Sequence, residues 1–277
     1  MSKICFGLRT FLTNSTNHNP LNHQHSFSDR LHPWVSVVVP VHNEDNNIIP
    51  LIREIQAALD GVYSYEIIYV NDGSIDNSWA ILQELVASFN PTLRIIRHRR
   101  AYGQSVAILT GVRAARGDWI ATLDGDGQND PADIVQLLAV LKNPNCPPNL
   151  QMVAGYRQHR QDSWWKRVSS KFANATRRRL LHDDTPDTGC GIKVFSRAAF
   201  LALPHFNHCH RFLPALILRG GGQVISVAVN HRPRLHGQSK YGFFDRLWVG
   251  LSDLLGVMWL QRRSVVAEII EETRTDE

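Results

Sequence analysis

Apolar and polar positions along this chain follow two periods in turn. Val35-Ser36-Val37-Val38-Val39 is a short β-branched run closed by Pro40, the pattern of a strand buried on both faces of a parallel sheet. Ile48, Leu51, Ile52, Ile55, Ala58 and Leu59 then recur at helical spacing. The alternation repeats: 65–70 predicts a strand, 76–89 a helix, 93–97 a strand, 104–115 a helix and 118–123 a strand. After Asp130-Pro131 a helix to about residue 142 and a strand near 151–155 follow, and 163–230 alternates less regularly. Such an order predicts an α/β fold: a mainly parallel central sheet with helices on both faces. No internal repeat interrupts it.

In open sheets of this kind ligands bind outside the carboxyl ends of the strands, so the residues just after each strand carry the chemistry. Here they are 40–44, 71–74 and 124–128, all polar. Asp124-Gly125-Asp126, with Gln128 two residues on, offers hard oxygen donors at a spacing that suits Mg²⁺ or Mn²⁺ shared with substrate phosphates. Taken alone the triplet reads first as an Asp/Gly turn, ahead of a metal site. Its setting argues for the metal, because Asn71-Asp72-Gly73-Ser74 and Asn43-Glu44 end two further strands that would meet in the same crevice. A divalent cation there would neutralise a leaving diphosphate. Glu44 and Asp72 would be free to accept hydrogen bonds from a base and a ribose.

Composition changes this picture in three places. The 277 residues suffice for one large α/β domain or two small ones, and a formal charge of +5 names no partner. The distribution says more: Arg94, Arg97, Arg99 and Arg100 are clustered, and eight basic residues stand between Arg157 and Arg179 against the single acid Asp162. These clusters point to an anionic ligand or, blandly, to solvated helix faces. Nucleic acid is disfavoured, since no recognised module accompanies the basic stretch and the acidic strand ends would repel phosphate unless a metal were present. Dinucleotide-dependent oxidation is also disfavoured, because 40–44 lacks the glycine-rich turn that lets pyrophosphate approach. Cys5, Cys146, Cys190 and Cys209 have no metal-site spacing and fit a reduced cytosolic setting, and Met1 to Leu12 is too short for a signal core.

Val38-Val39-Pro40-Val41-His42-Asn43-Glu44, Val70-Asn71-Asp72-Gly73-Ser74 and Asp124-Gly125-Asp126-Gly127-Gln128 before Pro131 resemble, in order and spacing, the signatures of family 2 glycosyltransferases. Asp187-Thr188-Gly189-Cys190 with Arg197, and His236-Gly237-Gln238-Ser239-Lys240-Tyr241, are similar to the branch containing dolichyl-phosphate mannose synthase and undecaprenyl-phosphate glycosyltransferases. The resemblance spans about 34–262. It implies a nucleotide-diphospho-sugar transferase fold, inversion at the anomeric carbon, and transfer from a nucleotide-diphosphate sugar to a polyprenyl phosphate for cell-envelope glycan or glycolipid synthesis. A UDP-sugar is expected over a GDP-sugar, by analogy with bacterial relatives. Pro40, Val41, Asn43, Glu44, Asp72 and Asp124 would contact the nucleotide sugar, and Asp124, Asp126 and Gln128 the metal. Asp126 and Asp187 are the catalytic candidates. Gly125 and Gly127 depart from the common pattern, where bulkier apolar residues are frequent.

A lipid phosphate is largely dianionic at neutral pH and needs relief from repulsion more than a general base. Arg157 and Lys171 stand where the family places its acceptor-phosphate residues, and Arg232, Arg234 and Lys240 are further candidates on a loop. Asp187 could orient a basic residue, act as a base on a sugar hydroxyl in the alternative reaction, or cap a turn. The segment 243–263 is apolar but interrupted by Asp253, so it is expected to lie in a membrane interface rather than to cross, or else to pack as a core helix. Trp248, Leu251, Leu255 and Met258 would share its apolar face. The chain thus divides into a disordered leader (1–33), a catalytic domain (34–235), a basic loop with an interface helix (236–264) and an acidic tail (265–277). The protein is expected to be cytoplasmic and peripheral on the inner face of the membrane.

Overall fold

The computed structural model describes residues 32–89, 92–157, 179–181, 183–233 and 243–263, with 88–89 and 243–249 as backbone only. Residues 1–31 of the leader, the acidic tail, Lys171, Arg234 and Lys240 lie outside the described residues. Seven strands form one sheet: β1 (Val35–Val41), β2 (Tyr65–Asn71), β3 (Leu93–Arg97), β4 (Trp119–Thr122), β5 (Leu150–Arg157), β6 (Lys193–Ser196) and β7 (Gln223–Val229). Their spatial order is β3-β2-β1-β4-β6-β5-β7. All neighbours are parallel except β6, which runs antiparallel to both β4 and β5.

That order places a topological switch between β1 and β4: the chain winds outward through β2 and β3, then returns to the other side of β1. The crevice expected at such a point lies beyond Val41 and Thr122. Because β6 is reversed, its amino end, Lys193, pairs with Thr122 at that same edge. Arg157, ending β5, and Val229, ending β7, are paired with each other there too. One edge of the sheet therefore gathers the carboxyl ends of six strands and the amino end of β6.

Strand β1 runs through the expected stop at Pro40 and ends one residue later, at Val41. Proline has no N–H to give a ladder, which normally excludes it from central strands. In β1, Val38 accepts from Leu123 on the β4 side while Val41 accepts from Asp72 on the β2 side, so Pro40 faces β4. The β1–β4 pairing has already ended at Val38 and Thr122, and no hydrogen bond is lost.

Helices α1 (Asp45–Leu59), α2 (Ser78–Phe89) and α4 (Ala132–Leu141) cover one sheet face, packing Ile48, Ile52, Leu82, Ile134 and Leu138 on Val37, Val39 and Tyr69. On the other face α3 (Gln104–Ala114), α5 (Arg197–Leu201), α6 (Leu213–Arg219) and α7 (Phe243–Arg262) join Ala107, Ile108, Phe200, Leu216 and Val257 to Val38, Ile68 and Met152. The period-2 alternation of β1 and β2 assigns their odd and even positions to these two cores. Helix α7 is thus part of the fold: Val257 is fully buried, Leu254, Met258 and Leu260 pack beside it, and Arg219 Nε donates to the Leu260 carbonyl at 3.0 Å. Met258, expected on the outward face, points into the core.

At the amino edge Glu66 is 5% exposed and fully engaged. It accepts from Ser36 Oγ at 2.7 Å, from the Arg116 amide at 2.7 Å and from Arg94 Nη1 at 2.8 Å. Arg94 is therefore a structural cation far from the crevice, not part of an anion site. Of its neighbours, Arg97 lies over Trp79 at 5.2 Å and Arg100 over Tyr102 at 5.1 Å.

Candidate active site

The three loops predicted to converge do so, and side-chain hydrogen bonds stitch two of them together. Asn43 takes a left-handed φ of 57°, which Asn tolerates better than most residues. Its amide donates to Ser74 Oγ at 2.9 Å and its Oδ1 accepts from the Ile75 amide at 2.8 Å. His42 Nδ1 donates to the Asp72 carbonyl at 2.8 Å, the Glu44 amide donates to Ser78 Oγ at 3.1 Å, and Glu44 Oε2 accepts from Asn47 Nδ2 at 2.8 Å. The 40–44 and 71–76 segments form a single rigid wall.

Asp72 differs from its expected role as a carboxylate open to ligand. It is 5% exposed and accepts from His98 Nδ1 at 2.7 Å, the Tyr102 amide at 2.9 Å and the Gly103 amide at 2.7 Å. A carboxylate has about four acceptor positions, so three are already filled. Its first task is to fold the 98–103 loop into the entry of α3. Asp72 therefore shapes this end of the crevice through those three hydrogen bonds.

The 124–128 loop is pinned, and the two glycines explain how. A side chain at Gly125 would stand 2.6 Å from Val41 Cγ1 and 2.9 Å from the Pro40 carbonyl, so only glycine lets the loop lie against β1. Gly127 turns with φ 72°. The Gln128 amide donates to Asp126 Oδ1 at 3.1 Å, the Asp124 amide to Asn129 Oδ1 at 3.3 Å, and the Arg232 amide to the Gln128 carbonyl at 2.9 Å.

Asp124 is held by Gln104 Nε2 at 2.7 Å, and its carboxyl is pushed above the ordinary carboxylate range, first by burial and then by Asp126. Lys193, Gln104 and Arg157 act in the opposite direction. Two adjacent carboxylates, one burdened by the other's charge, are a donor pair that a hard divalent cation would relieve. By donor chemistry Asp124, Asp126 and Gln128 offer the oxygen ligands that Mg²⁺ or Mn²⁺ takes.

Beside Asp124 opens a cleft of about 240 Å³ between the start of α3, the 188–191 loop, β6 and the 210–213 segment. The loop approaches so closely that a side chain at Gly191 would overlap Asp124 Oδ2. Asp187, 6% exposed, is gripped by Arg157, whose Nε and Nη2 reach Oδ2 and Oδ1 at 2.6 and 3.0 Å. Of the three roles open to Asp187, the geometry is that of a carboxylate orienting a basic residue. Arg232 is not brought to the cleft: Nη1 binds Glu54 at 2.7 Å and Nη2 binds Asp130 at 2.8 Å, tying the end of β7 to α1 and to the residues before α4.

Among the cleft residues that escaped the sequence reading are Gln104, Lys193, His210 and Arg211. Lys193 is 5% exposed, its Nζ donating to the Cys190 carbonyl, and burial pulls its pKa down. His210 has a pKa lowered to about 3, mainly by burial and then by Lys193, so its imidazole is neutral at physiological pH. Its Nδ1 is 2.7 Å from Ser105 Oγ. The one available signal was a lysine inside the apolar run Ile192 to Phe195, where period 2 alone would have sent it to solvent.

Fold and crevice together are a mainly parallel sheet with a polar, acid-lined crevice at its switch point. Residues 36–203 match Glycosyl transferase family 2, and the chain belongs to that family and is a glycosyltransferase. The dodecaprenyl-phosphate galacturonate synthase of Rhizobium johnstonii is 33% identical over 232 residues, 82% of this chain and 67% of that protein. The undecaprenyl-phosphate 4-deoxy-4-formamido-L-arabinose transferase of Edwardsiella ictaluri is 35% identical over 212 residues, 76% of this chain and 63% of that protein. The chain thus spans about two thirds of the length of these curated relatives. Among solved structures, glucosyl-3-phosphoglycerate synthase from Mycobacterium tuberculosis in complex with Mg²⁺ and UDP shares the fold, with a TM-score of 0.60 and 17% identity over 84% of this chain and 81% of that one.

Proposed function

We propose that this glycosyltransferase moves a sugar from a nucleotide diphosphate, UDP in preference to GDP, to a polyprenyl phosphate at a membrane surface. The observation that carries the reading is the two-point grip of Arg157 on Asp187 at 2.6 and 3.0 Å. A carboxylate engaged in this way is poorly placed to take a proton from a sugar hydroxyl, as transfer to a polysaccharide or glycolipid would require. A phosphate dianion needs no such base. What it needs is an oriented cation, and Arg157 at the end of β5 is one. The two relatives described above carry dodecaprenyl phosphate and undecaprenyl phosphate in their names, which supports the same acceptor.

In the proposed reaction an acceptor phosphate oxygen attacks the anomeric carbon as the bond from that carbon to the nucleotide diphosphate breaks, inverting the configuration. Asp124, Asp126 and Gln128 would hold Mg²⁺ or Mn²⁺. When bound, the cation would offset the charge developing on the departing diphosphate. The wall formed by 40–44 and 71–76 orients the nucleotide, and Gln104 fixes Asp124. Pro40, Val41, Asn43 and Glu44 lie along that wall, with Asp72 behind it.

No helix among the described residues is long and apolar enough to cross a membrane. Helix α7 nevertheless shows Leu251, Leu255 and Trp259 to solvent, at 47, 58 and 61% exposure, spaced one turn apart and followed by exposed Arg262 and Arg263. An apolar stripe ending in basic residues suits a helix lying on an anionic lipid surface, here the inner face of the cytoplasmic membrane. The reaction is tested by incubating the purified protein with Mg²⁺, polyprenyl phosphate and a panel of UDP- and GDP-sugars, with lipid mass spectrometry as readout. Glycosylated lipid phosphate, lost in chelator, is the expected product. Transfer to sugar hydroxyls with none to lipid phosphate would overturn the reading.

A further inference from the structure

The cleft beside Asp124 contains an ammonium group that the proposed reaction leaves without a task. Lys193 is 5% exposed and lines the cleft, and among the described residues its Nζ has one hydrogen-bond partner, the Cys190 carbonyl. An ammonium carries three donors, so two remain for whatever occupies the cleft. Burying a cation without a matching anion is costly, and the nearby anions have other engagements. Asp187 is gripped by Arg157, and Asp124 is held by Gln104. If Asp124 and Asp126 held a divalent cation, as proposed above, the charge of Lys193 would be left largely uncompensated by the protein.

The rest of the cleft is what a sugar ring requires. Gln104, Thr188 and His210 offer polar groups without net charge, His210 because its pKa is lowered to about 3. Ile108 and Leu213 supply an apolar surface for ring C–H groups. Arg211 also lines the cleft but is only half-buried and is engaged elsewhere, so Lys193 is the fully buried cation left facing these neutral groups, an arrangement that suits a sugar with one anionic substituent.

We infer that Lys193 recognises a carboxylate on the donor sugar, so that the transferred unit is a uronic acid. This rests on the donor-transfer reading above and adds the class of sugar. The three anions of the reaction then have separate partners: the diphosphate at the metal, the lipid phosphate at Arg157 and the sugar carboxylate at Lys193. The residue sets specificity and takes no part in bond breaking.

The test compares matched donors by calorimetry in Mg²⁺ on the full chain: UDP-galacturonate against UDP-galactose, UDP-glucuronate against UDP-glucose, and GDP-mannuronate against GDP-mannose. At least one uronate is expected to bind tenfold or more tighter than its neutral partner. Lys193→Met, close in size and uncharged, is expected to abolish that preference while leaving affinity for the bare nucleotide diphosphate unchanged. If the wild-type protein binds each neutral sugar as tightly as its uronate, the inference is wrong, and this holds even if the variant fails to fold. Turnover with polyprenyl phosphate is scored in parallel. Transfer of neutral sugars without preference removes the uronate assignment alone, whereas a uronate preference in binding without transfer to lipid phosphate removes the acceptor assignment and leaves Lys193 its role.

Discussion

Arg157 and Asp187 differ in what each gives the other, and substitution separates the two contributions. Asp187→Asn keeps the shape of the side chain but withdraws the charge that orients the guanidinium, leaving a buried cation half-satisfied. Losing one partner of such a pair costs about 3 kcal/mol, measurable as a lowered urea midpoint. In kinetics the expected change is a KM for polyprenyl phosphate raised about tenfold, with nucleotide affinity unchanged. A general-base role would show itself as a collapse in kcat at unchanged KM. His210 makes a separate prediction through pH. Its folded-state pKa is lowered to about 3, below the usual 6.5, so between those values the unfolded chain binds a proton that the folded chain refuses. Stability from this group is complete above pH 6.5 and falls as the pH drops toward 3. Between pH 7 and pH 5 the loss is about 2 kcal/mol. Denaturant unfolding at the two pH values should show that difference in the wild type and a smaller one in His210→Asn. Equal slopes in both proteins would mean that His210 is hydrated and titrates normally.

Helix α7 shows how an element can satisfy two readings of its sequence at once. One face, through Val257, Leu254 and Met258, completes the core over α6, and the other leaves Leu251, Leu255 and Trp259 exposed. Deleting the helix would therefore unfold the domain as well as remove any lipid contact, and point substitutions are needed. Leu255→Asp with Trp259→Ala should abolish co-flotation with anionic vesicles and leave the melting temperature within about 2 °C, since both side chains already face water. Val257→Asp should unfold the protein. Flotation that survives the double substitution would place the lipid contact elsewhere. Strands β1 to β4 and the loops after β1, β2 and β4 were legible in the sequence, because parallel strands buried on both faces are continuous apolar runs and polar residues interrupt them only at their ends. The reversed strand β6 was not, since Lys193 to Ser196 carries no mark of its direction. With it were hidden the proximity of 187–191 to Asp124 and the burial of Lys193. The engagements of Asp72 and Arg232 were hidden for the same reason: a charge in a loop looks available until the distant segment that pairs with it is placed.

At the scale of the whole molecule the two edges of the sheet are built for opposite purposes, and ligand-dependent stability should reveal it. At the amino edge the buried charge is neutralised internally, with Glu66 accepting from Ser36, Arg94 and the Arg116 amide. At the carboxyl edge Asp124 remains disfavoured by burial and by Asp126, a repulsion that the fold alone leaves in place. A cation and a nucleotide diphosphate that bind there together should therefore stabilise the folded state more than either does singly. A ligand at one hundred times its dissociation constant adds about 2.7 kcal/mol. For a chain of this size that raises the melting temperature by about 5–10 °C. Melting curves with Mg²⁺ alone, UDP alone and both should show a small shift, a small shift and a large one. Asp126→Asn, which removes a candidate ligand charge from a partly exposed position without changing volume, should melt like the wild type without ligands, lose the joint effect, and lose nearly all turnover. A joint shift that persists in Asp126→Asn would move the cation to other ligands. A large shift with UDP in chelator would mean that the edge binds the diphosphate through its basic residues alone.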